Sequence, residues 1–269
     1  MKRTAFTLVE LLVVIAIIGL LSTVAVIATS SARDKARIAA GQSFEQSVRQ
    51  GVGDVELARW NFNEGSGATL NDSSGNRNNV TLTGTVAGDW TSSGFRDGAL
   101  NFSGSSYGDT GISMSSFNNG LTFAAWVKTS NFSGGWGWPF SGSASGNTVL
   151  DCGKKGGSGE VTFETSDQDS TTGVNIADNN WHFLVCTFDP ATQSKKIYVD
   201  GALKLSVARS GIDYSVTGHF RIGKGRDGVG EYWIGTLDEE AVYGRALSAS
   251  RIERLYAEGR ARLVAENKW

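Results

Sequence analysis

The sequence predicts a mainly β protein: an N-terminal long membrane-spanning α-helix, then a two-sheet antiparallel jelly-roll sandwich, then a short C-terminal helix. Three observations lead there. Residues 11–32 form a run of 22 without a charge, long enough to cross a bilayer core of about 30 Å. Beyond residue 55, short apolar runs alternate with polar residues and turn signals. The chain also holds 35 glycines against 2 prolines, and Ser, Thr and Asn crowd the gaps between runs, as many tight turns require.

The N-terminal segment carries one carboxylate near its start, in Phe6-Thr7-Leu8-Val9-Glu10-Leu11-Leu12. Deep in lipid a charge costs about 2.5–3.5 kcal/mol, so a plain anchor has little reason to keep Glu10. Downstream, Ala36, Ile38, Ala39, Phe44 and Val48 stand among charged and amide residues without a proline. That spacing extends the helix with a narrow apolar stripe, and Gly51-Val52-Gly53 ends it. Lys2 and Arg3 precede the span while Arg33, Lys35 and Arg37 follow it. The distribution of positive charge therefore assigns no orientation.

In the remainder, alternation predicts strands at 56–63, 80–83, 99–103, 121–129, 148–152, 160–165, 181–188, 195–199, 203–207, 219–223 and 232–243. In Trp181-His182-Phe183-Leu184-Val185-Cys186-Thr187-Phe188 both alternating sets are largely apolar, so this strand is covered on both faces. Asp200-Gly201 between two runs marks a two-residue hairpin. Ser250 and Glu253 fit a capping box ahead of Ile252, Leu255 and Tyr256, which places one short helix there. No repeat of solenoid type is present.

Charge is nearly balanced, 25 Lys and Arg against 27 Asp and Glu, and no basic stripe suggests a nucleic-acid partner. Cys152 and Cys186 both fall in strands of the globular part. They form either a disulfide, which an exported domain permits, or two buried thiols.

The stretch Ala5-Phe6-Thr7-Leu8-Val9-Glu10 resembles the processing site of type IV prepilins and pseudopilins. The resemblance implies cleavage by a prepilin peptidase between Ala5 and Phe6, methylation of the new Phe6 amine, and pairing of Glu10 with the terminal amine of a neighbouring subunit. Alanine stands at Ala5 where the family has glycine, and Ile27 replaces a proline common in major pilins, which leans towards a minor or pseudopilin-like subunit. The organisation implied is a leader at 1–5, a transmembrane and assembly helix at 6–52, a globular domain at 56–258 and a tail at 259–269. The location implied is the cytoplasmic membrane, single-pass with the C-terminal domain outside, and an extracellular filament after assembly.

The globular part resembles laminin-G-like, concanavalin-type jelly rolls. The residues that carry this are Trp60-Asn61-Phe62-Asn63-Glu64-Gly65, Asn71-Asp72-Ser73-Ser74-Gly75-Asn76, Gly98-Ala99-Leu100-Asn101-Phe102-Ser103 and Leu121-Thr122-Phe123-Ala124-Ala125-Trp126-Val127. Asn180-Trp181-His182, Ile197-Tyr198-Val199-Asp200-Gly201, Ile234-Gly235-Thr236-Leu237-Asp238-Glu239 and Tyr243-Gly244-Arg245-Ala246-Leu247-Ser248 follow in the family's order. The resemblance implies a structural calcium ion, for which Asp72 and Asp238 are candidate ligands and Glu64 a further one; the alternatives are that Asp72 caps a turn and Asp238 pairs with an arginine. It also implies a glycan-binding surface. Trp136 and Trp138, in Gly135-Trp136-Gly137-Trp138-Pro139, either offer flat faces to sugar rings or pack a loop onto the sandwich.

Enzymatic activity is not expected. The acidic run Glu160-Val161-Thr162-Phe163-Glu164 has threonine where glycosidases with three alternating acids have their middle one. His182 and His219 are the only histidines, too few for a histidine-rich metal site, and His182 belongs to the Trp-His strand motif. The function expected is a pilin-like filament subunit displaying a domain for adhesion or for glycan or protein recognition. The alternatives are a structural pseudopilin of a type II-like secretion system and a membrane-tethered glycan-active enzyme.

Overall fold

A computed structural model describes residues 8, 12–15 and 17, and residues 56–265 apart from 85–88, 132–134, 145–148, 166–167, 209–217 and 226–229. The chain divides into two compact units, Met1–Asp54 and Val55–Trp269. In the first, residues 8, 12–15 and 17 are helical and their apolar side chains are exposed. Among the described residues no helix is long and apolar enough to cross a membrane. Ala5, Phe6, Glu10 and most of the expected N-terminal helix lie outside the described residues.

Among the described residues the second unit, the head, has sixteen strands, one α-helix and a single 3-10 turn at Met114–Phe117. The strands are β1 (Glu56–Trp60), β2 (Thr69–Leu70), β3 (Val80–Thr83), β4 (Trp90–Thr91), β5 (Ala99–Ser103), β6 (Tyr107–Ser113), β7 (Leu121–Lys128) and β8 (Gly137–Ala144). They continue with β9 (Val149–Lys154), β10 (Glu160–Thr165), β11 (Thr171–Asn175), β12 (Trp181–Asp189), β13 (Ser194–Val199), β14 (Ala202–Ala208), β15 (Gly218–Ile222) and β16 (Ile234–Tyr243). A helix, α1 (Ala249–Ala265), follows. The first sheet runs β14-β13-β12-β7-β16-β5-β4, with β1 also pairing β16; the second runs β11-β10-β9-β8-β15-β6-β3-β2. The two sheets stack as an antiparallel sandwich.

The inward faces meet in one apolar core. Phe123 of β7 stacks at 4.8 Å on Phe220 of β15 and at 5.5 Å on Phe140 of β8, and Trp60 lies 6.5 Å from Phe220. Cys152 of β9 and Cys186 of β12 form a disulfide across the core, with a Cα–Cα distance of 6.2 Å. Both faces of β12 are covered, as its two apolar sets require. Leu184, Cys186 and Phe188 face the second sheet, while Phe183 and Val185 join an outer cluster with Trp126, Tyr198 and Ile252. Tyr256 of α1 stacks on Trp126 and Phe183, so this helix covers the outer face of the first sheet.

The hairpin at Asp200-Gly201 is present: both residues have positive φ (53° and 77°) and Val199 pairs with Ala202. That is the type I′ geometry that suits strand twist. The helix start differs from expectation. The cap is Ser248, whose Oγ accepts from the Arg251 N–H at 3.3 Å, rather than Ser250. The helix also continues to Ala265, where a tail was expected from 259.

Five strands were hidden from alternation. β6 turns Gly108, Thr110 and Ile112 inward, and Gly108 is required because the Val80 side chain fills the space of a Cβ. β8 begins inside the expected tryptophan loop. Pro139 interrupts its ladder, and the register with β9 shifts between Gly137 and Phe140, as a proline inside a sheet demands. β2 and β4 hold two residues each, and β11 is an edge strand with no buried residue.

The disulfide closes a loop over a sequence separation of 34. Reduction, or the Cys152→Ala/Cys186→Ala double variant, is expected to lower unfolding free energy by about 2–4 kcal/mol, read as a shifted urea midpoint with and without reductant.

Candidate functional site

Asp72 is the centre of a turn built against β1. Its Oδ1 accepts from the N–H groups of Arg59 (3.0 Å) and Ser74 (2.8 Å), and its Oδ2 accepts from the N–H of Asn78 (2.8 Å). Around it, the Asn76 and Asn78 side-chain amides donate to the carbonyls of Glu56 and Leu57, the Ser73 N–H donates to the Arg59 carbonyl, and the Trp60 indole donates to the Asn78 carbonyl. The loop thus satisfies the backbone edge of β1 that β16 leaves open. Burial alone would raise the Asp72 carboxyl, but hydrogen bonds from Ser74 and from the Arg59, Ser74 and Asn78 N–H groups outweigh it and hold it below its usual value.

Asp238 sits elsewhere, fully buried on β16. Its Oδ2 accepts from the Arg96 N–H at 2.8 Å, while its Oδ1 is buried without a hydrogen-bond partner. Burial pushes its carboxyl up to about 8, against the pull of the Arg96 N–H. The expected arginine pairing falls one residue on, where Arg96 Nη1 reaches Glu239 Oε1 at 3.1 Å. Two glycines let oxygen atoms gather here. A Cβ on Gly94 would run into the Gly98 carbonyl and lie 2.9 Å from Asp238 Oδ2. One on Gly98 would lie 2.8 Å from the Phe62 carbonyl and 3.0 Å from Asn63 Oδ1. Glu64 Oε1 accepts from the backbone N–H and the side-chain amide of Asn71, and its Oε2 is buried without a hydrogen-bond partner.

Among the described residues no three His, Cys, Asp or Glu side chains stand close enough to hold a metal ion together. The three acids named from sequence therefore do not form one cluster, and Asp72 is occupied by backbone donors. The oxygens here are the Asp238 carboxylate beside the Gly98 carbonyl, with the Phe62 carbonyl and Asn63 Oδ1, which accepts the Gly98 N–H at 2.8 Å, lying against Gly98. Hard-cation chemistry accepts such a set when water completes it. Asn63, Phe62 and Gly98 escaped sequence reasoning because backbone carbonyls and a single amide leave no signature.

The tryptophan pair is split in exposure. Trp138 is fully buried and donates its indole N–H to Glu231 Oε2 at 2.9 Å. It offers no face to a ligand, which corrects the sequence expectation for this residue. Trp136 is half-buried and stacks on Trp138 at 5.4 Å, with Lys155 Nζ 5.9 Å above its ring. His182 is a clamp: Nδ1 meets Asp200 Oδ2 at 2.9 Å and Nε2 meets Asp178 Oδ1 at 3.1 Å. The Asp200 hydrogen bond, opposed by burial, raises its pKa. Glu164 lies in register with Asp151, and both are buried.

With this geometry in view, residues 102–253 match the family model of the Concanavalin A-like lectin/glucanases superfamily. The chain belongs to that superfamily. Residues 1–26 match the prokaryotic N-terminal methylation motif, so the superfamily domain follows a prepilin-type start. No curated protein matches the chain. Among solved structures, domain 4 of AbnA, a GH43 extracellular arabinanase from Geobacillus stearothermophilus in complex with arabinotriose, is 22% identical with a TM-score of 0.61, covering 75% of this chain and 98% of that one. Trypanosoma rangeli sialidase is 16% identical with a TM-score of 0.57, over 74% of this chain and 32% of the enzyme. The binding domain of Paraclostridial Mosquitocidal Protein 1 is 15% identical with a TM-score of 0.56, over 76% of this chain and 52% of that chain. At these identities the likeness is one of fold.

Replacing Asp72 strips acceptors from three backbone N–H groups, so Asp72→Ala is expected to cost about 1–3 kcal/mol, equally with calcium or chelator present. Because the folded carboxyl titrates below the unfolded one, this contribution is present above the unfolded value of about 3.9 and disappears as pH falls through the folded value. Urea unfolding of both proteins at several pH values checks the magnitude and the sign.

Proposed function

We propose that the chain is a type IV pilin-like filament subunit whose head binds an extracellular glycan. The observation that carries this is the union of an N-terminal methylation motif with a concanavalin A-like sandwich in one chain. In this reading a prepilin peptidase cuts between Ala5 and Phe6, the Phe6 amine is methylated, and Glu10 pairs with the amine of a neighbouring subunit. The exposed apolar residues at 8, 12–15 and 17 support it, since lipid first and other subunits later would cover them. Domain 4 of the arabinanase, in complex with arabinotriose, lends the glycan its support.

The head acts by binding and not by catalysis in this reading. Glycosidases need two carboxyl groups that reach the sugar, whereas Asp151 and Glu164 are buried and Glu160 Oε2 takes the Ser158 hydroxyl. A calcium ion held by Asp238, Asn63 and the carbonyls of Phe62 and Gly98 would pin the loops at one end of the sandwich. Its role is structural, because it would satisfy the buried Asp238 oxygen.

Mass spectrometry of the native N-terminus is expected to find N-methylphenylalanine at Phe6; a chain still beginning at Met1 would sink the pilin assignment. Calcium is expected to raise the thermal midpoint of the wild type and leave Asp238→Ala unmoved. A glycan array probed with calcium and with chelator tests the ligand, and silence in both conditions would favour a structural pseudopilin head.

A further inference from the structure

The half-buried Trp136 does not stand alone. Its partner Trp138 bonds Glu231, and the next residue, Tyr232, lies 6.4 Å from Tyr107. Lys224 Nζ is 4.4 Å above the Tyr107 ring and 5.6 Å from that of Tyr232. The aromatic groups therefore form a strip along one end of the second sheet, from β8 past β15 to β6. Those strands are neighbours in the order β8-β15-β6, so the strip spans about 10 Å, two strand spacings.

The strip is fixed in place. Lys224 pairs with Tyr232 as an isolated bridge, and the Gly225 N–H donates to the Glu231 carbonyl at 2.8 Å. A Cβ on Gly225 would enter the Trp138 ring, so glycine alone lets this segment lie against the indole. Tyr107, Tyr232 and Trp136 are half-buried, leaving surface on each. Two residues along the outer face of β6 from Tyr107 stands Asp109. Its Oδ1 takes the Gly111 N–H and His219, and among the described residues its Oδ2 takes no hydrogen bond. Thr81, in register with Asp109 on β3, is exposed beside it.

We propose that this strip is one binding site for a neutral oligosaccharide, with stacking positions at Trp136 and at the Tyr107–Tyr232 pair. The proposal rests on the glycan-binding reading above and gives it a location and a ligand class. Sugar rings carry an apolar C–H face that fits aromatic surface and a hydroxyl edge that seeks polar partners. Two separated platforms suit a chain of rings better than a single ring. Asp109 accepts hydroxyl donors, while Lys224 over Tyr107 and Lys155 over Trp136 donate to hydroxyl oxygens; with both signs of charge along the strip, a polyhydroxyl chain of no net charge is the class that fits.

The test uses the full chain in detergent, titrated with arabinotriose, xylotriose, cellotriose, their monosaccharides and trigalacturonic acid. The expected result is binding of a neutral trisaccharide at least about 10-fold tighter than its monosaccharide. Trp136→Ala and Tyr107→Ala should each weaken it by about 10-fold or more, with thermal midpoints verifying that the variants are folded. Asp109→Ala, at an exposed position, should weaken it as well and serves where an aromatic variant unfolds. If the wild type binds a trisaccharide that all three variants bind equally, the strip is not the site and the glycan-binding reading survives. Binding of the acidic trisaccharide alone overturns the ligand class. Absence of binding to these sugars and to every glycan on an array removes both the reading and the site.

Discussion

The inward stack of Phe123, Phe140 and Phe220 is the contact on which the head depends. Each residue comes from a central strand, and the stack joins the middle of one sheet to the middle of the other. The disulfide lies beside it, since Cys152 is in register with Phe140 and Cys186 with Phe123. Aromatic packing and a covalent link therefore fix the separation of the sheets at one place. From there outward, strands need only pair with a neighbour. This is why edge strands of two residues, such as β2 and β4, can persist.

The two outer faces have different fates. On the first sheet, α1 and Phe95 bury Trp126, Phe183 and Tyr198, and Phe95 stacks on Trp126 at 3.4 Å. The second sheet turns Asp109 and His219 outward and carries the aromatic strip along one end. Between the sheets, Lys195 is fully buried, and its ammonium donates to the carbonyls of Phe163 and Gln168 and to Thr165 Oγ1. It joins β13 to β10 as a polar tie, a case where a buried charge is supplied with the partners it requires.

Much of the sandwich was legible because its central strands alternate strongly. β7, β12 and β16 show their buried sets in the residues themselves, and the Asp200-Gly201 turn needs positive φ that its residues supply. β6 and β8 were not legible, because side chains from a neighbouring strand and from the turn after β6 force glycine into positions where alternation looks for large apolar groups. Gly108 and Gly142 are both of this kind: Val80 and Met114 occupy the space a side chain would fill. Site legibility followed the same division. Asp238 was singled out because it sits in a motif of the resembled family, and burial without a partner for one oxygen is what the structure adds. Its oxygen neighbours are main-chain carbonyls and one amide, which no residue type announces. Trp138 was assigned to a surface on its chemistry, but the segment holding Gly225 and Glu231 lies against its ring and buries it. Tyr107 and Asp109 on β6 and Tyr232 beyond β15 carry no joint signal, because only the fold brings segments so distant in sequence together.

The turn around Asp72 also has a mechanical meaning. The head begins at β1, which among the described residues pairs within its sheet only with β16. On its other side, the side chains of Asp72, Asn76 and Asn78 supply the hydrogen bonds that a further strand would otherwise make. In the filament subunit proposed above, tension would enter the sandwich through this strand. Fastening β1 along both edges makes the attachment point resist peeling, so a pull is shared by many short bonds at once before any one of them parts.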